Sequence, residues 1–384
     1  MSNSPIRVLV WGPGGLGKVA IRQIAARTDF ELVGLLAYSP DKDGVDAGTL
    51  AGIDRRLGVA ATTSLEQALS INADVVLHVT RDFGRYGDVP LIEQFLRAGR
   101  NVVSVHPYHH PEAMAWTSAP DDVVAAINGA GEAGGATFTA TGIHPEWIAD
   151  RMAPALSGIC ADIRHALMYE NWDMSHYDSK TLSVIGFGKD PSVMESSPAL
   201  AQMTDNYCLQ NLYGLATSLG IELDRIEPAH EYATAPVDLT FWSLSVAAGT
   251  VGRLTHTWHG YRQGQHSPAV TAEVNWMLGR DHMVPAQYDP THYYGVRIEG
   301  TPSVAMGISI MDSLDDEKPR SVTDDPSSEP GYTAIIAACL QAMPRTIASA
   351  PGWLQPVRPG VHWAPDFRCQ DAEPLHSATG PRHV

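Results

Sequence analysis

Cysteine is scarce in this chain. There are four in 384 residues, Cys160, Cys208, Cys339 and Cys369, and none stands in a Cys-x-x-Cys pair. That excludes a zinc knuckle or a dithiol redox motif and leads us to expect reduced thiols in a cytoplasmic protein. Positive charge is also in short supply: 26 Lys and Arg against 43 Asp and Glu leave a formal charge of −17. With no basic cluster to neutralise phosphates, nucleic acid is not an expected partner, and the negative balance reads as solubility. Long apolar runs are missing too. Nothing approaches the roughly 20 residues of a membrane helix, and the start, Met-Ser-Asn-Ser-Pro-Ile-Arg, has no apolar signal core, so no membrane contact is expected. What remains is a globular composition, 44% hydrophobic and 18% charged, long enough for two domains.

The most specific feature stands near the start, where the apolar run Ile6, Val8, Leu9, Val10 feeds into Gly12-x-Gly14-x-x-Gly17. The run reads as a strand buried on both faces. Beyond it Leu16, Ala20, Ile21, Ile24 and Ala25 recur at helical spacing. Strand, glycine turn and helix together mark a dinucleotide-binding unit. The first glycine allows the tight turn, the second a close approach of pyrophosphate, and the third close packing of helix on strand. Gly12, Gly14, Gly15, Leu16 and Gly17 are therefore the candidate phosphate-binding residues, with the helix N-terminus facing the anion.

Strands at 30–36, 74–79, 102–105 and 136–140 alternate with helices at 91–98 and 123–132, which predicts a doubly wound parallel sheet of the Rossmann type over residues 1–145. After His144-Pro145-Glu146-Trp147 a helix through Leu156 leads into longer strands. Residues 251–261 and 270–278 read as a hairpin turning at Gln263-Gly264-Gln265, extended by 293–298 and 304–310 into a mostly antiparallel sheet. Residues 146–331 thus form a second, α+β domain. The stretch 312–330 reads as a loop, 332–350 as a helix that Pro344 should kink or end, and 371–384 as disordered tail.

Dinucleotide sites that take NAD usually carry an acidic residue at the end of the second strand. This chain has Leu36-Ala37-Tyr38-Ser39 there, with Lys42 close by. Without a carboxylate to repel a 2′-phosphate, NADP is favoured over NAD, and Tyr38, Ser39 and Lys42 are the candidate contacts. Asp41 or Asp43 would restore NAD binding if the loop bent back, and Lys42 would then be a solvated charge. Thr80 and Arg81, at the carboxyl end of the 74–79 strand, lie where the nicotinamide half should sit.

Past the strand Val102-Val103-Ser104-Val105 comes His106-Pro107-Tyr108-His109-His110-Pro111-Glu112. A histidine at that edge can lend or take a proton near neutral pH, which hydride transfer to a carbonyl or iminium requires. His109 and His106 are the candidate acids, and Tyr108, His110 and Glu112 candidate substrate contacts. Their irregular spacing gives no metal assignment. His144 and Glu146 at the domain crossover should line the cleft, Glu146 as a further catalytic candidate. The polar, aromatic stretch Tyr169 to Tyr177 offers Asn171 and Asp173 for a small polar substrate. His256 and His259, three apart on a strand, should face opposite ways.

These segments resemble the dihydrodipicolinate reductase-like oxidoreductases, in the branch of 2,4-diaminopentanoate dehydrogenase and the native NAD(P)-dependent amine dehydrogenases. The resemblance rests on Val10 to Gly17, Tyr38 to Lys42, Gly99 to Ser104, Thr141-Gly142-Ile143-His144-Pro145, Ile185-Gly186-Phe187-Gly188 and Ile298-Glu299-Gly300. It implies that the second domain supplies the substrate pocket and the interface of a homodimer, and that residues 332–370 pack back on the first domain. It also implies hydride transfer between NAD(P)H and an imine or amine carbon. Two positions depart. The amine-binding glutamate of the loop after Val-Val-Ser is replaced by histidines, leaving Glu112 nearest, and the glycine and aromatic residue after His144-Pro145 are here Glu146-Trp147. The His-His-x-x-Lys element and Ser-Gly-Thr run of dihydrodipicolinate reductase itself are missing.

The expected function is an NAD(P)H-dependent oxidoreductase of a small carbonyl or imine, with a histidine of 106–110 as general acid. Amine dehydrogenation, with Glu112 or Glu146 serving the ammonium, is one alternative. A catalytically silent NADP-binding sensor or scaffold is the other.

Overall fold

The computed structural model describes residues 4–356 apart from 81, 83–85, 176, 178, 196, 197, 242, 312, 313 and 315–329. Arg81, Cys369, most of the 312–330 stretch and the 371–384 tail therefore lie outside the described residues. In chain order the strands are β1 (Ile6–Trp11), β2 (Phe30–Leu36), β3 (Ala61–Thr62), β4 (Val75–His78), β5 (Asn101–Ser104), β6 (Thr137–Ala140), β7 (Ile163–Asp173), β8 (Arg225–Thr234), β9 (Leu239–Thr240), β10 (Ser245–Val246), β11 (Val251–Tyr261), β12 (Val270–Met277), β13 (Tyr294–Gly300), β14 (Val304–Ile308) and β15 (Gly352–Trp353).

The first sheet runs β15-β6-β5-β4-β1-β2-β3, every pair parallel. Its strands are apolar throughout because both faces are covered. Val8, Val10, Leu77 and Val103 pack with Val19, Ala20, Ile21 and Ile24 of the helix Gly15–Ala25 and with Ile336 and Leu340 of the helix Pro330–Ala348. Leu9, Trp11, Val76 and Val102 pack instead with Ile92, Phe95 and Leu96 of the helix Val89–Arg97 and Ile127 of the helix Val123–Gly134. This is the doubly wound Rossmann architecture. Its strand order reverses between β1 and β4, and ligands bind outside the strand ends at such a switch point.

The helix Pro330–Ala348 continues through Pro344, where the sequence predicts a kink or stop. Pro344 removes one N–H from the hydrogen-bond ladder, and buried Met343 and Thr346 hold the helix on both sides of it. Beyond this helix β15 adds to the first sheet's edge beside β6.

The second sheet runs β14-β13-β7-β12-β11-β8 and is antiparallel except for β7 with β12. One expectation is corrected here. Residues 293–310 do not extend the β11–β12 hairpin directly, because β7 lies between, parallel to β12 and antiparallel to β13. Alternation gives this sheet two distinct faces. Met168, Glu170 and Trp172 point one way with their register partners Ala272, Val274 and Trp276, while Tyr169 and Asn171 point the other way with Glu273 and Asn275. The helix Pro198–Ser218, which sequence periodicity does not reveal, packs against β11, β12 and the crossover segment Ile143–Met152.

Candidate functional site

The glycine turn has the shape its spacing predicts. A side chain at Gly12, where φ is +108°, would meet the Val79 carbonyl at 2.8 Å, and one at Gly17 would meet the Gly12 carbonyl at 2.1 Å. Gly14 is different, with nothing within 4 Å of where a Cβ would stand. The helix beginning at Gly15 has no side-chain cap and no acidic residue in its first turn, so the N–H groups from Gly15 through Leu16 to Gly17 are left for an anion. An open cradle at Gly14, closed glycines on both sides and an uncapped helix end fit a dinucleotide pyrophosphate. The Tyr332 ring lies 3.0 Å from a Cβ on Gly15 and walls the turn on the second-domain side.

Of the two acidic residues after β2 that would restore NAD binding, Asp43 is committed elsewhere. Asp43 is taken by the Thr63 backbone N–H at 2.8 Å and its hydroxyl at 3.0 Å. Lys42 Nζ donates to the Pro13 carbonyl at 3.0 Å, which holds it against the glycine turn, and Ser39 is exposed beside it. The Tyr38 hydroxyl accepts from Trp11 Nε1 at 3.1 Å and donates to Asp88 Oδ1 at 3.0 Å.

The strand ends at the switch point carry a largely buried polar chain. Thr80 is the member that the sequence identifies; His78, Asp88, Ser104 and Tyr207 are not evident from it. His78, the last residue of β4, stacks on Trp11 with centroids 4.2 Å apart, and its Nε2 lies 2.9 Å from both Asp88 Oδ2 and Thr80 Oγ1. Its Nδ1 lies 3.0 Å from the Ser104 hydroxyl oxygen. Thr80 Oγ1 donates to Asp88 Oδ2 at 2.5 Å and stands 3.3 Å from His106 Nε2, while His106 Nδ1 is 2.9 Å from the Tyr207 hydroxyl. Burial alone would raise Asp88's pKa, yet the hydrogen bond and charge of His78, with Thr80 and Tyr38, bring it down to about 2. A titratable residue closing a buried strand was the sequence signal for His78.

The histidines of the 106–110 loop separate into different environments. Burial, with His78 next to it, pushes His106 well below the usual histidine range. His109 is fully buried, and burial together with His110, His144 and His106 pushes it down as well. A neutral His109 ring near pH 7 therefore replaces the protonated donor predicted from sequence. Neither of its nitrogens has a partner among the described residues. His110 Nε2 pairs with Asp150 Oδ2 at 3.0 Å in a buried bridge, pressed by Gly214, where a Cβ would fall 2.8 Å from that nitrogen. Tyr108 turns into the core among Tyr86, Phe138 and Trp353, its hydroxyl donating to Asp82. Glu112 is exposed and accepts from Gln355 at 2.7 Å, so it is not brought into this group.

Across the crossover, His144 Nδ1 lies 2.6 Å from Glu170 Oε2, with both side chains less than a tenth exposed, and Glu170 Oε1 accepts from Trp276 Nε1 at 2.9 Å. His144 Nε2 is buried with no partner among the described residues. Strand alternation decides which member of the 169–177 stretch joins His144. Asn171 points to the opposite face, where it bonds Asn275 at 3.1 Å, and Asp173 closes a turn by accepting from the backbone N–H groups of Ser175 and Gly279. His256 and His259 do face opposite ways, toward His230 and Thr271.

Glu146 stands apart from the His144–Glu170 pair. Its φ of +99° is a backbone conformation that suits glycine. Its buried carboxylate accepts from the Thr141 hydroxyl and from Arg151, at 2.6 Å and 3.1 Å. Burial raises its pKa, with Arg151 opposing. It lines a pocket of about 130 Å³ with Arg151, Gln341, Arg345 and Thr346, under the helix Pro330–Ala348. Among the described residues no three His, Cys, Asp or Glu side chains converge to hold a metal, and no helix is long and apolar enough to cross a membrane.

A glycine turn at the switch point of a doubly wound sheet, facing a second sheet across buried histidines and carboxylates, defines an NAD(P)-dependent oxidoreductase of small molecules. Residues 6–95 match the family described as dihydrodipicolinate reductase, N-terminus. The chain is 30% identical to an amine dehydrogenase of Streptomyces virginiae over 321 residues, 80% of this chain and 86% of that one. It is 39% identical over 69 residues to a 4-hydroxy-tetrahydrodipicolinate reductase of Trichormus variabilis, 18% of this chain and 25% of the other. In structure it is similar to the amine dehydrogenase from Mycobacterium smegmatis, with a TM-score of 0.73 at 20% identity over 94% of this chain and 98% of that one. The scyllo-inositol dehydrogenase of Lactobacillus casei shares the fold at a TM-score of 0.51 and 14% identity over 94% and 92%. The chain belongs to the amine dehydrogenase branch of the dihydrodipicolinate reductase-like oxidoreductases.

Proposed function

We propose that this enzyme interconverts a small ketone or aldehyde plus ammonia with the corresponding amine, using NADP(H) and a carboxylate–histidine pair formed by Glu170 and His144. The observation that carries the reading is the buried His144 ring, tied to Glu170 through Nδ1 at 2.6 Å and left unpartnered at Nε2. A proton on Nδ1, assigned from its carboxylate partner, leaves the lone pair on Nε2. That nitrogen can accept from a substrate ammonium, and Glu170 stabilises the imidazolium that forms. Neutral His109 beside it offers two further unpartnered nitrogens to a small polar ligand without adding a repelling charge.

When bound, the nicotinamide supplies or takes the hydride. Gly12 to Gly17 would hold its pyrophosphate, and Ser39 and Lys42 the phosphorylated ribose. The commitment of Asp43 to Thr63 supports NADP over NAD. The reading includes a cytoplasmic homodimer joined through the second sheet, on whose Asn171-bearing face Glu227, Glu231 and Arg297 are exposed.

The test is oxidation of NADPH and NADH with a panel of small ketones and aldehydes, each with and without ammonium. Turnover that requires ammonium is expected. Equal turnover without it would replace the reading by carbonyl reduction, and cofactor binding without turnover by a sensor.

A further inference from the structure

Reductive amination needs acid–base help at two atoms. The nitrogen must shed a proton and the carbonyl oxygen must leave as water. The His144–Glu170 pair serves the nitrogen. We propose that the Tyr207 phenol serves the oxygen, as the proton donor and acceptor of a relay running through His106 and Thr80 to Asp88. This assignment rests on the amine dehydrogenase reading.

The direction of each hydrogen bond follows from its end. The Asp88 carboxylate only accepts, so the Thr80 hydroxyl 2.5 Å away donates to it. The Thr80 oxygen is then the acceptor for His106 Nε2–H at 3.3 Å. With its proton on Nε2, His106 has its lone pair on Nδ1, and the Tyr207 hydroxyl at 2.9 Å donates to it. The branches agree. Ser104 donates to His78 Nδ1, His78 Nε2–H points at Asp88, and Tyr38 donates to the other Asp88 oxygen. Every described hydroxyl in the network is thus polarised toward one carboxylate, the arrangement by which a buried acid supports an imidazolium in the serine hydrolase triad.

His106 cannot meet the substrate itself, because its residue is 4% exposed and both ring nitrogens are occupied. Tyr207 is the open end. It stands half-buried on the helix Pro198–Ser218 of the second domain, and no described residue donates to its oxygen. Burial, with His78 beside it, keeps the His106 ring neutral at rest, so that a lone pair is present on Nδ1.

In the oxidative direction a water oxygen bonds to the iminium carbon. One water proton passes to the Tyr207 oxygen as the phenolic proton passes to His106 Nδ1, leaving a neutral carbinolamine and an imidazolium held through Thr80 by Asp88. In the reductive direction the C–O bond breaks, the hydroxyl leaves with the Tyr207 proton as water, and His106 returns its proton to the phenol. No electrons move in this step. Tyr207 touches the reacting oxygen; His106, Thr80 and Asp88 act through it.

The deciding comparison is a ketone plus ammonium, which must lose water, against a preformed cyclic imine, which need not. Tyr207→Phe is expected to lower kcat on the ketone about 100-fold and on the cyclic imine less than about threefold, with cofactor affinity kept. Thr80→Val should follow the same pattern with a smaller loss, on the order of tenfold. Equal losses on both substrates, or none on the ketone, would overturn the relay. Histidine-selective ¹⁵N NMR gives a readout that needs no turnover. His106 should be the Nε2–H tautomer, with an Nδ1 resonance that moves in Tyr207→Phe, and an Nδ1–H tautomer overturns the relay whatever the activity. Wild-type enzyme inactive with every ketone and ammonium would instead overturn the amine reading and the catalytic role that depends on it, the tautomer being judged by NMR alone.

Discussion

Replacing Glu170 with glutamine tests the amine site at one atom. The side chain is 8% exposed, with Oε1 2.9 Å from Trp276 Nε1 and Oε2 2.6 Å from His144 Nδ1. The amide has the same shape and keeps its oxygen on Trp276, which turns its NH₂ toward His144. The imidazole must then present its lone pair at Nδ1 and carry its proton on Nε2, so the base facing the substrate becomes a donor. General base catalysis contributes roughly 10²–10⁴-fold, and the tautomer-reversing Asp→Asn change in the serine hydrolase triad falls near the upper end. We expect kcat to drop by about 10²–10⁴, or roughly 3–5 kcal/mol of barrier. NADPH affinity should stay within about twofold, since Glu170 lies on the second sheet. Folding should be little affected, because a neutral amide beside a neutral imidazole strands no buried charge. The assay is steady-state NADPH oxidation with ketone and ammonium, paired with NADPH titration by fluorescence. A kcat within threefold of wild type, or a parallel loss of cofactor affinity, would refute the role given to Glu170.

Two further outcomes follow from the network around the cofactor turn. Asp88's pKa lies at about 2 against an ordinary 3.8. A lowered carboxylate contributes stability that is present above the ordinary value and lost as pH falls from about 4 to 2, here about 2 kcal/mol. Its side chain is 16% exposed, so solvent screening removes little of this. The stability gap between wild type and Asp88→Asn in denaturant titrations should shrink by that amount between pH 7 and pH 2, and a constant gap contradicts the assignment. Lys42→Glu should weaken NADPH on the order of tenfold while leaving NADH nearly unchanged. Equal weakening of both would remove Lys42 from phosphate recognition.

The glycine turn was legible because each of its constraints is local: a strand, a tight turn and a helix end within a dozen residues. The second-domain contacts were not, for a reason visible in β7. Period-two alternation separates Glu170 from Asn171 but does not say which face meets the cofactor domain, and that is decided by the partners β7 takes, β12 and β13. The helix Pro198–Ser218 escaped notice because it is buried on several sides. Its Leu212, Leu215 and Ala216 are covered, and so are Thr204, Asn206, Gln210 and Asn211, which leaves no clean apolar stripe to read. Tyr207 was missed with it. At Glu146 the residue type alone does not show its surroundings: its charge is met by Arg151 and its backbone sits where glycine is at ease.

The histidines that stand where the resemblance leads one to expect a loop glutamate, and the burial of carboxylates elsewhere, are connected in the proposed function. Three histidines in residues 106–110 would repel an ammonium if charged, and burial keeps His106 and His109 neutral. Neutral rings donate and accept but carry no negative charge, so the charge that balances a substrate cation must come from outside the loop. In the proposed function Glu170 supplies it from β7 through His144, on the crossover that joins the two sheets. Glu146 then has a different task. With Thr141 and Arg151 it fixes the reversed backbone after His144, while Asp150, four residues on, holds His110. The crossover is thereby tied to the end of β6 and to the loop after β5, and His144 sits between those ties. Glu146, a further catalytic candidate in the sequence, is thus tied to the backbone beside the histidine that Glu170 would activate in the proposed function, and among the described residues Arg151 meets the charge of Glu146 while Glu170 pairs with His144.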